Sequence, residues 1–448
     1  MSDHDYSPTI FALASAHGRA GVAVIRVSGP KSWNSLKTLA EGQYKPRLAS
    51  LRRLIDPDSR ETLDEALVLP FKAPHSYTGE DTVEYHLHGG RAVIESMLSF
   101  LASQARHRMA EPGEFTRRAF ENGKMDLTAA EGVADLIDAE TQAQKIQALS
   151  QMGGALSKLY EGWSETLKNT LAHMEADIEF PDEDLPDEIS PAVVSGLKTL
   201  INEIHEHLND NRKGERLRDG VQVAIVGAPN AGKSSLVNAL SQRDVAIVSD
   251  MAGTTRDIIE VHLDIGGYPV ILSDTAGLRP EQLGESGHDA LESEGIKRAL
   301  TRAREADIVL LLFDGSAQDI DPHSLNLIDE RALLVFNKMD EAGADAPMDG
   351  ALSISVKQSL GFDTLLSALL DKIKALMISR EAPSLTRARH RQNVEAALEA
   401  LERSLNAPLP ELMAEDVRLA IRHIGKITGR VDVEDLLDVI FNDFCIGK

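Results

Sequence analysis

Over the first 122 positions, apolar and polar residues alternate in short runs. Gly21-Val22-Ala23-Val24-Ile25-Arg26-Val27-Ser28-Gly29 alternates between bounding glycines and reads as a strand. Segments 66–70 and 82–88 read as two more, and 92–105 carries helical spacing, so a small α+β domain is expected. From about 123 the period lengthens. Ala129, Val133, Leu136 and Ile137 mark one helical face. Thr128 and Glu131 stand at capping-box spacing, hydroxyl and carboxylate each taking an orphan amide. Val194, Leu197, Leu200, Ile201, Ile204 and Leu208 define a second helix, after an acidic stretch at 180–188 whose plain reading is a solvated turn. A polar stretch over 209–220 reads as a linker. Beyond it, strands at 221–227, 258–265, 269–274, 307–314 and 332–336 alternate with helical segments, which predicts a mostly parallel α/β sheet. After Pro383 the helical pattern resumes at 394–405, 412–427 and 433–444. The expected division is therefore an α+β domain over 1–122, a helical part over 123–214, an inserted α/β domain over 215–380 and a second helical part over 381–448. Each helical part is short for a core of its own, so the simplest account is one α-helical domain interrupted by the α/β insert.

Composition narrows the class without choosing it. The chain has 448 residues, enough for two to four domains, and 42% hydrophobic against 26% charged residues is ordinary globular composition. Acids outnumber bases 71 to 47, a formal charge of −24 that deters nonspecific binding to nucleic acid or anionic membrane while allowing a local basic patch. A single cysteine, Cys445, excludes an internal disulfide and a cysteine-built metal site, which fits a reducing, cytosolic compartment. Asp3 and Asp5 stand where a signal peptide needs bases, and no run of eighteen apolar residues spans a membrane.

The chemistry is concentrated in the α/β insert. Gly227-Ala228-Pro229-Asn230-Ala231-Gly232-Lys233-Ser234 matches G-x-x-x-x-G-K-[ST] between a strand and a helix that opens through Ser235. The glycines, with Asn230 and Gly232 in the turn, let backbone amides face phosphate oxygens, and the helix N-terminus adds partial positive charge. Lys233 reaches the β- and γ-phosphates, and the Ser234 hydroxyl suits Mg²⁺. Asp274-Thr275-Ala276-Gly277 fits D-x-x-G, with Asp274 meeting Mg²⁺ through water and the Gly277 amide meeting the γ-phosphate. Thr254 and Thr255 offer a switch hydroxyl for Mg²⁺. Asn337-Lys338-Met339-Asp340 fits N-K-x-D, where the Asp340 carboxylate accepts from two guanine N–H groups and selects GTP over ATP. Ser355-Val356-Lys357 falls where a guanine-supporting loop belongs. These elements, in this order, predict a P-loop GTPase domain of the Ras-like kind. One residue departs from that pattern: Leu278 stands where Ras-like enzymes carry a water-orienting glutamine. Arg256 and Arg279 are candidate fingers, and the helix near 291–296 offers a carboxylate.

Outside the insert, Gly18-Arg19-Ala20-Gly21-Val22, Ser76-Tyr77-Thr78-Gly79-Glu80-Asp81 with His88-Gly89-Gly90, Ala110-Glu111-Pro112-Gly113-Glu114-Phe115-Thr116 and the ending Phe444-Cys445-Ile446-Gly447-Lys448 form a distinctive set. With the G motifs, they make the chain resemble the MnmE (TrmE) family of tRNA-modification GTPases over its whole length. The resemblance implies a cytoplasmic homodimer built through the N-terminal domain, which binds 5-formyltetrahydrofolate or a related one-carbon tetrahydrofolate. Arg26, Glu84, Lys124 and Lys448 match the folate-contacting positions. Taken alone, Arg26 reads as a strand-end charge, Glu84 as half of a cross-strand pair, and the two lysines as solvated charges. The resemblance also implies a heterotetramer with an FAD-containing MnmG protein. Together they place an aminomethyl or carboxymethylaminomethyl group on C5 of the wobble uridine of certain tRNAs. It further implies K⁺ held by Asn230 and the 249–254 loop, with Ser249, Met251 and Thr254. K⁺ there takes the place of an arginine finger. Glu292 aligns with the family's catalytic glutamate, Glu294 being the other carboxylate in reach. Cys445 is assigned a thiol role near the modification chemistry; its plainer reading is a small buried apolar residue, and Gly447-Lys448 rules out prenylation. The competing function is a ribosome-assembly or regulatory switch GTPase without modification chemistry, which would more often carry a basic RNA-binding domain than this N-terminal one.

Overall fold

The computed structural model describes residues 7–16, 18–179, 191–247, 260–274, 301–317, 322–342, 347–377, 383–431, 434–442 and 444–447. The chain forms two compact units, Met1–Ala134 with Gly425–Lys448, and Asp135–Ile424.

The first unit is built on a six-stranded sheet of β1 (Thr9–Leu13), β2 (Ala20–Ser28), β3 (Ser50–Ile55), β4 (Thr62–Phe71), β5 (Thr82–Gly89) and β6 (His107–Met109), in the order β3-β4-β5-β2-β1-β6. All pairs are antiparallel except β1 with β6. Period-two patterning sorts the faces. Ala23, Ile25, Val27, Val83, Tyr85 and Leu87 are buried with Leu36 and Leu39 of helix Ser32–Leu39 and Met97 and Leu101 of helix Arg91–Ser103. The alternate positions Val24, Arg26, Glu84 and His86 lie on the other, partly exposed face.

The chain end belongs to this unit. Leu437, Ile440, Phe441 and Phe444 pack with Leu127 and Ala130. Ile446 bridges to Pro112, and the Gly113 amide donates to the Cys445 carbonyl at 3.4 Å. Gly447, at φ 101°, lies so close to β1 that a Cβ there would stand 2.2 Å from the Leu13 carbonyl oxygen. Cys445 is exposed, not the buried apolar residue of its plainer reading.

In the second unit, β7 (Val221–Val226), β8 (Glu260–Ile265), β9 (Tyr268–Asp274), β10 (Ile308–Asp314), β11 (Ala332–Asn337) and β12 (Leu352–Ser353) form a sheet ordered β12-β11-β10-β7-β9-β8. It is parallel except for the β8–β9 hairpin. β7 and β10 are buried almost throughout, as a central parallel pair must be. The elements flanking this sheet in sequence are helices. Pro191–Leu208 and Ala388–Ser404 pack together, and His205 Nε2 lies 2.8 Å from Glu402 Oε1. The fold class is thus multidomain: an α+β domain, and a helical domain interrupted by a Ras-like α/β insert.

Two local expectations are corrected. Thr128 is not a cap, because it lies inside helix Leu127–Asp138; Asp126 takes that role, its Oδ1 accepting from the Ala129 amide at 2.8 Å. The capping box lies one helix later, where Thr141 and Gln144 exchange bonds at the start of Gln142–Met152. Nor is 209–220 a loose linker. It holds helix Lys213–Asp219, and Arg391 of Ala388–Ser404 clamps it through Asp210 at 2.7 Å and Glu215 at 3.0 Å. Those carboxylates hold the guanidinium charged despite its burial, which by itself would lower the pKa.

Candidate functional site

In the second unit, β7 runs into a loop at 227–232 and then helix Lys233–Ser241. Asn230 and Gly232 hold φ of 67° and 99°, the left-handed turns that curl the backbone. Neither glycine at the ends of this loop admits a side chain. A Cβ on Gly227 would lie 2.1 Å from the Leu312 carbonyl oxygen, and one on Gly232 would lie 2.3 Å from Asn337 Nδ2. Lys233 Nζ donates to the loop's own carbonyls, Gly227 O at 2.8 Å and Ala228 O at 3.0 Å. The ammonium therefore sits over the loop, where a phosphate would meet it.

Asn337 ends β11 and is buried. Its Nδ2 donates to the Ala231 carbonyl at 2.9 Å, and its Oδ1 accepts from the Val356 amide at 3.1 Å. One side chain thus ties three sequence-distant segments together. Lys338, at φ 62°, pairs with Asp314 at 2.6 Å. Burial raises the Asp314 pKa, but the Lys338 and Ser316 contacts outweigh it and leave the carboxyl below its ordinary value. Gln358 Nε2 lies 3.4 Å from Asp340 Oδ2.

These segments enclose a cavity of about 510 Å³, within the roughly 300–1,000 Å³ of small-molecule sites. Asn230, Gly232, Lys233, Ser234 and Ser235 line one side; Asn337, Lys338, Asp340, Val356 and Lys357 line the other. Ser355 does not line it. That residue is buried, its hydroxyl accepting from the Gln358 amide at 3.1 Å. Pro229, within the phosphate-loop motif, and Glu341, which no motif marks, also line the cavity. Asp314, the Lys338 partner, was equally unmarked. The donor set suits a nucleoside phosphate: amides and an ammonium at one end, a carboxylate at the other, and a hydroxyl at Ser234 for a hard cation. Asp274 ends β9 paired with Ile225 of β7, at the same end of the strands as the loop. Ser249, Met251, Thr254, Thr255, Gly277, Leu278, Glu292, Glu294, Arg256 and Arg279 lie outside the described residues.

In the first unit, Arg26 and Glu84 are direct partners across β2 and β5, with Nε 3.0 Å from Oε1. Arg26 is mid-strand rather than at a strand end. Its guanidinium also lies over the Tyr77 ring, 5.0 Å from the centroid, and near Phe115 at 5.6 Å. Tyr77 donates to or accepts from Thr116 at 2.8 Å, and burial raises its pKa. The loop that carries Tyr77 is held by Glu80, which accepts from Ser28 Oγ at 2.7 Å and from Arg118 at 3.1 Å. Lys124 Nζ donates to the Pro74 carbonyl at 3.0 Å.

A cavity of about 380 Å³ opens here, lined by Glu84, Lys124, Tyr77, Phe71, His75 and Arg47 among others. A carboxylate, aromatic faces and two cations suit a flat heterocycle with N–H donors and an anionic tail, so the residues fit a reduced folate. Arg26 reaches this site through Glu84. Lys448 lies outside the described residues. Among the described residues no helix is long and apolar enough to cross a membrane.

Two family descriptions match the chain: "MnmE helical domain" over residues 127–445 and "GTP-binding protein TrmE N-terminus" over residues 9–124. The tRNA modification GTPase MnmE of Rhodospirillum rubrum is 51% identical over 457 residues, covering 98% of this chain and 99% of its own. That of Parvibaculum lavamentivorans is 53% identical over 445 residues, covering 98% and 100%. Among solved structures, the G domain of the T. maritima FeoB iron transporter aligns at 23% identity with a TM-score of 0.24, covering 35% of this chain and 99% of that one.

Proposed function

The chain belongs to the MnmE family of tRNA-modification GTPases, and we propose that it couples Mg²⁺- and K⁺-dependent GTP hydrolysis to one-carbon chemistry on the wobble uridine of certain tRNAs. The observation that carries the nucleotide half is the Asn337 side chain, which joins the phosphate loop to the base-recognition loop around one cavity.

In this reading Gly232, Lys233, Ser234 and Ser235 bind the phosphates, with Gly277 at the γ-phosphate. Asn337, Lys338, Asp340 and the 355–357 loop bind guanine. Ser234 and Thr255 hold Mg²⁺, assisted by Asp274. Asn230, Ser249, Met251 and Thr254 hold K⁺. A bound cation supplies charge neutralisation at the phosphates. Glu292 orients the attacking water, the role that Leu278 cannot fill.

The folate reading rests on the Glu84 cavity. Glu84 accepts from the heterocycle, Arg26 pairs with Glu84 and orients it, and Lys124 and Lys448 face the anionic parts. Cys445, exposed beside the Pro112–Ile446 bridge, is available to the same chemistry. The working assembly is a cytoplasmic homodimer, joined by an FAD-containing MnmG-type partner and tRNA. The four-part division at 122, 214 and 380 is part of this proposal.

The test is mass spectrometry of wobble uridines from cells lacking the protein. Loss of the C5 aminomethyl-type groups is expected. Unchanged nucleosides would return the chain to the ribosome-assembly class of switch GTPases.

A further inference from the structure

The turn that precedes β3 carries an arginine where a turn of its kind favours glycine. Lys45-Pro46-Arg47-Leu48 closes with the Leu48 amide donating to the Lys45 carbonyl at 3.2 Å. Proline stands second and Arg47, at φ 64°, stands third, the pattern of a type II turn. The third position of that turn requires positive φ and is usually glycine or asparagine. The Arg47 amide donates to the Pro70 carbonyl at 2.7 Å, which pins the turn against β4. The backbone is therefore fixed in a conformation that disfavours the side chain it carries.

That side chain lines the Glu84 cavity. Its guanidinium makes no hydrogen bond or ion pair with another described residue. The other cation of the lining differs: Lys124 Nζ is engaged by the Pro74 carbonyl, and its stem lies against Gly79. Glu84 is already paired with Arg26 rather than with Arg47. In a chain of formal charge −24, an anion entering this cavity needs a local cation. A planar guanidinium is the group that meets a carboxylate through two parallel bonds.

We propose that Arg47 is the anion-binding arm of this cavity, taking a tail carboxylate of a reduced folate while Glu84 takes the heterocycle. The assignment rests on the folate reading above. It makes Arg47 a specificity residue: it separates folates with an anionic tail from pterins without one.

The test measures binding to the full-length protein by calorimetry, using 5-formyltetrahydrofolate and its diamide, in which both tail carboxylates are neutral. Arg47→Gly suits the backbone at φ 64° and so leaves the turn intact. It is expected to weaken the carboxylate form about ten- to a hundredfold, the range of a lost charge-assisted pair. The diamide should bind the unaltered protein with a comparable deficit, and Arg47→Gly should add nothing to that deficit. Arg47→Lys, which keeps the charge and loses the fork, should fall between. Equal losses for both ligands, or no loss for either, would overturn the assignment and leave the folate reading standing. If the unaltered protein bound neither form, both would fall.

Discussion

Asn337 Nδ2 and the Ala231 carbonyl oxygen, 106 residues apart, meet at 2.9 Å in the buried floor of the nucleotide cavity. The same amide group occupies the space a Cβ on Gly232 would need. The two loops proposed to bind phosphate and base are thus packed against each other and share one side chain.

Asn337→Ala removes that side chain and leaves the Ala231 carbonyl and the Val356 amide without their partner. The buried Ala231 orphan alone costs about 1–3 kcal/mol. Guanine-nucleotide affinity is expected to fall about tenfold or more, read by titration with a fluorescent GDP analogue. Affinity equal to that of the unaltered protein would separate the two recognition loops energetically.

Asp340→Asn exchanges the acceptor for a group that also donates. It should weaken GTP by roughly 1.5–3 kcal/mol, the worth of a charge-assisted bond, and favour xanthosine triphosphate. Competition between the two nucleotides reads the change. A mutant that still prefers GTP to the original degree would move guanine selection elsewhere.

Gly447→Ala places a methyl against the Leu13 carbonyl oxygen at a φ of 101°. The segment at Gly447 should leave β1, and wobble-uridine modification in complemented cells should drop. Deleting 445–448 should abolish it. GTP hydrolysis should be unchanged in both, because the nucleotide cavity lies in the other compact unit. Collapse of hydrolysis with the deletion would mean that the tail serves the GTPase itself.

GTP hydrolysis should be fast in K⁺ and slow in Na⁺ at matched ionic strength, since the smaller ion fits the same oxygens poorly. Asn230→Ala should reduce the K⁺ response. Glu292→Ala should lower turnover with little change in nucleotide affinity. Equal rates in the two salts would turn attention to Arg256 and Arg279.

His207 sets an acid limit on the helical domain. Burial pushes its pKa down to about 4 from an ordinary 6.5, and Arg391 and His390 add to the effect against Asp210. Tyr160 Oη lies 3.1 Å from its Nε2. Between those two pH values the unfolded chain binds a proton that the folded one does not. Stability from this group is therefore full above about 6.5 and is lost as pH falls towards 4, by up to about 3 kcal/mol. Urea unfolding at pH 7 and pH 5 should show the drop, and His207→Phe should shrink it. An identical slope in the variant would place the acid sensitivity elsewhere.

Much of this protein is legible in its sequence. The strands β2, β5, β7, β9, β10 and β11 follow from alternation or short apolar runs. The phosphate loop follows from eight consecutive residues, because its chemistry is made by local backbone. The helix cap at Asp126 was misplaced because Thr128 and Glu131 satisfy the same spacing rule two residues later, and only the helix start decides between them. The 209–220 segment looked like a linker because its charges are polar in sequence; it is ordered because Arg391, 181 residues from Asp210, neutralises them.

The sequence by itself determined the order of elements, the α/β insert within helices and the nucleotide-binding motifs, since each depends on period, turn chemistry or contiguous residues. Only the tertiary structure decided which distant groups meet. Asn337 reaches Ala231, Asp314 holds Lys338, Arg26 pairs with Glu84, and the tail through Gly447 closes on β1. Arg47 lines the Glu84 cavity from a turn whose amide is held by the Pro70 carbonyl. These contacts arise when buried faces pack and strand register is set. No local period in the chain encodes which polar groups that packing will bring within hydrogen-bond reach.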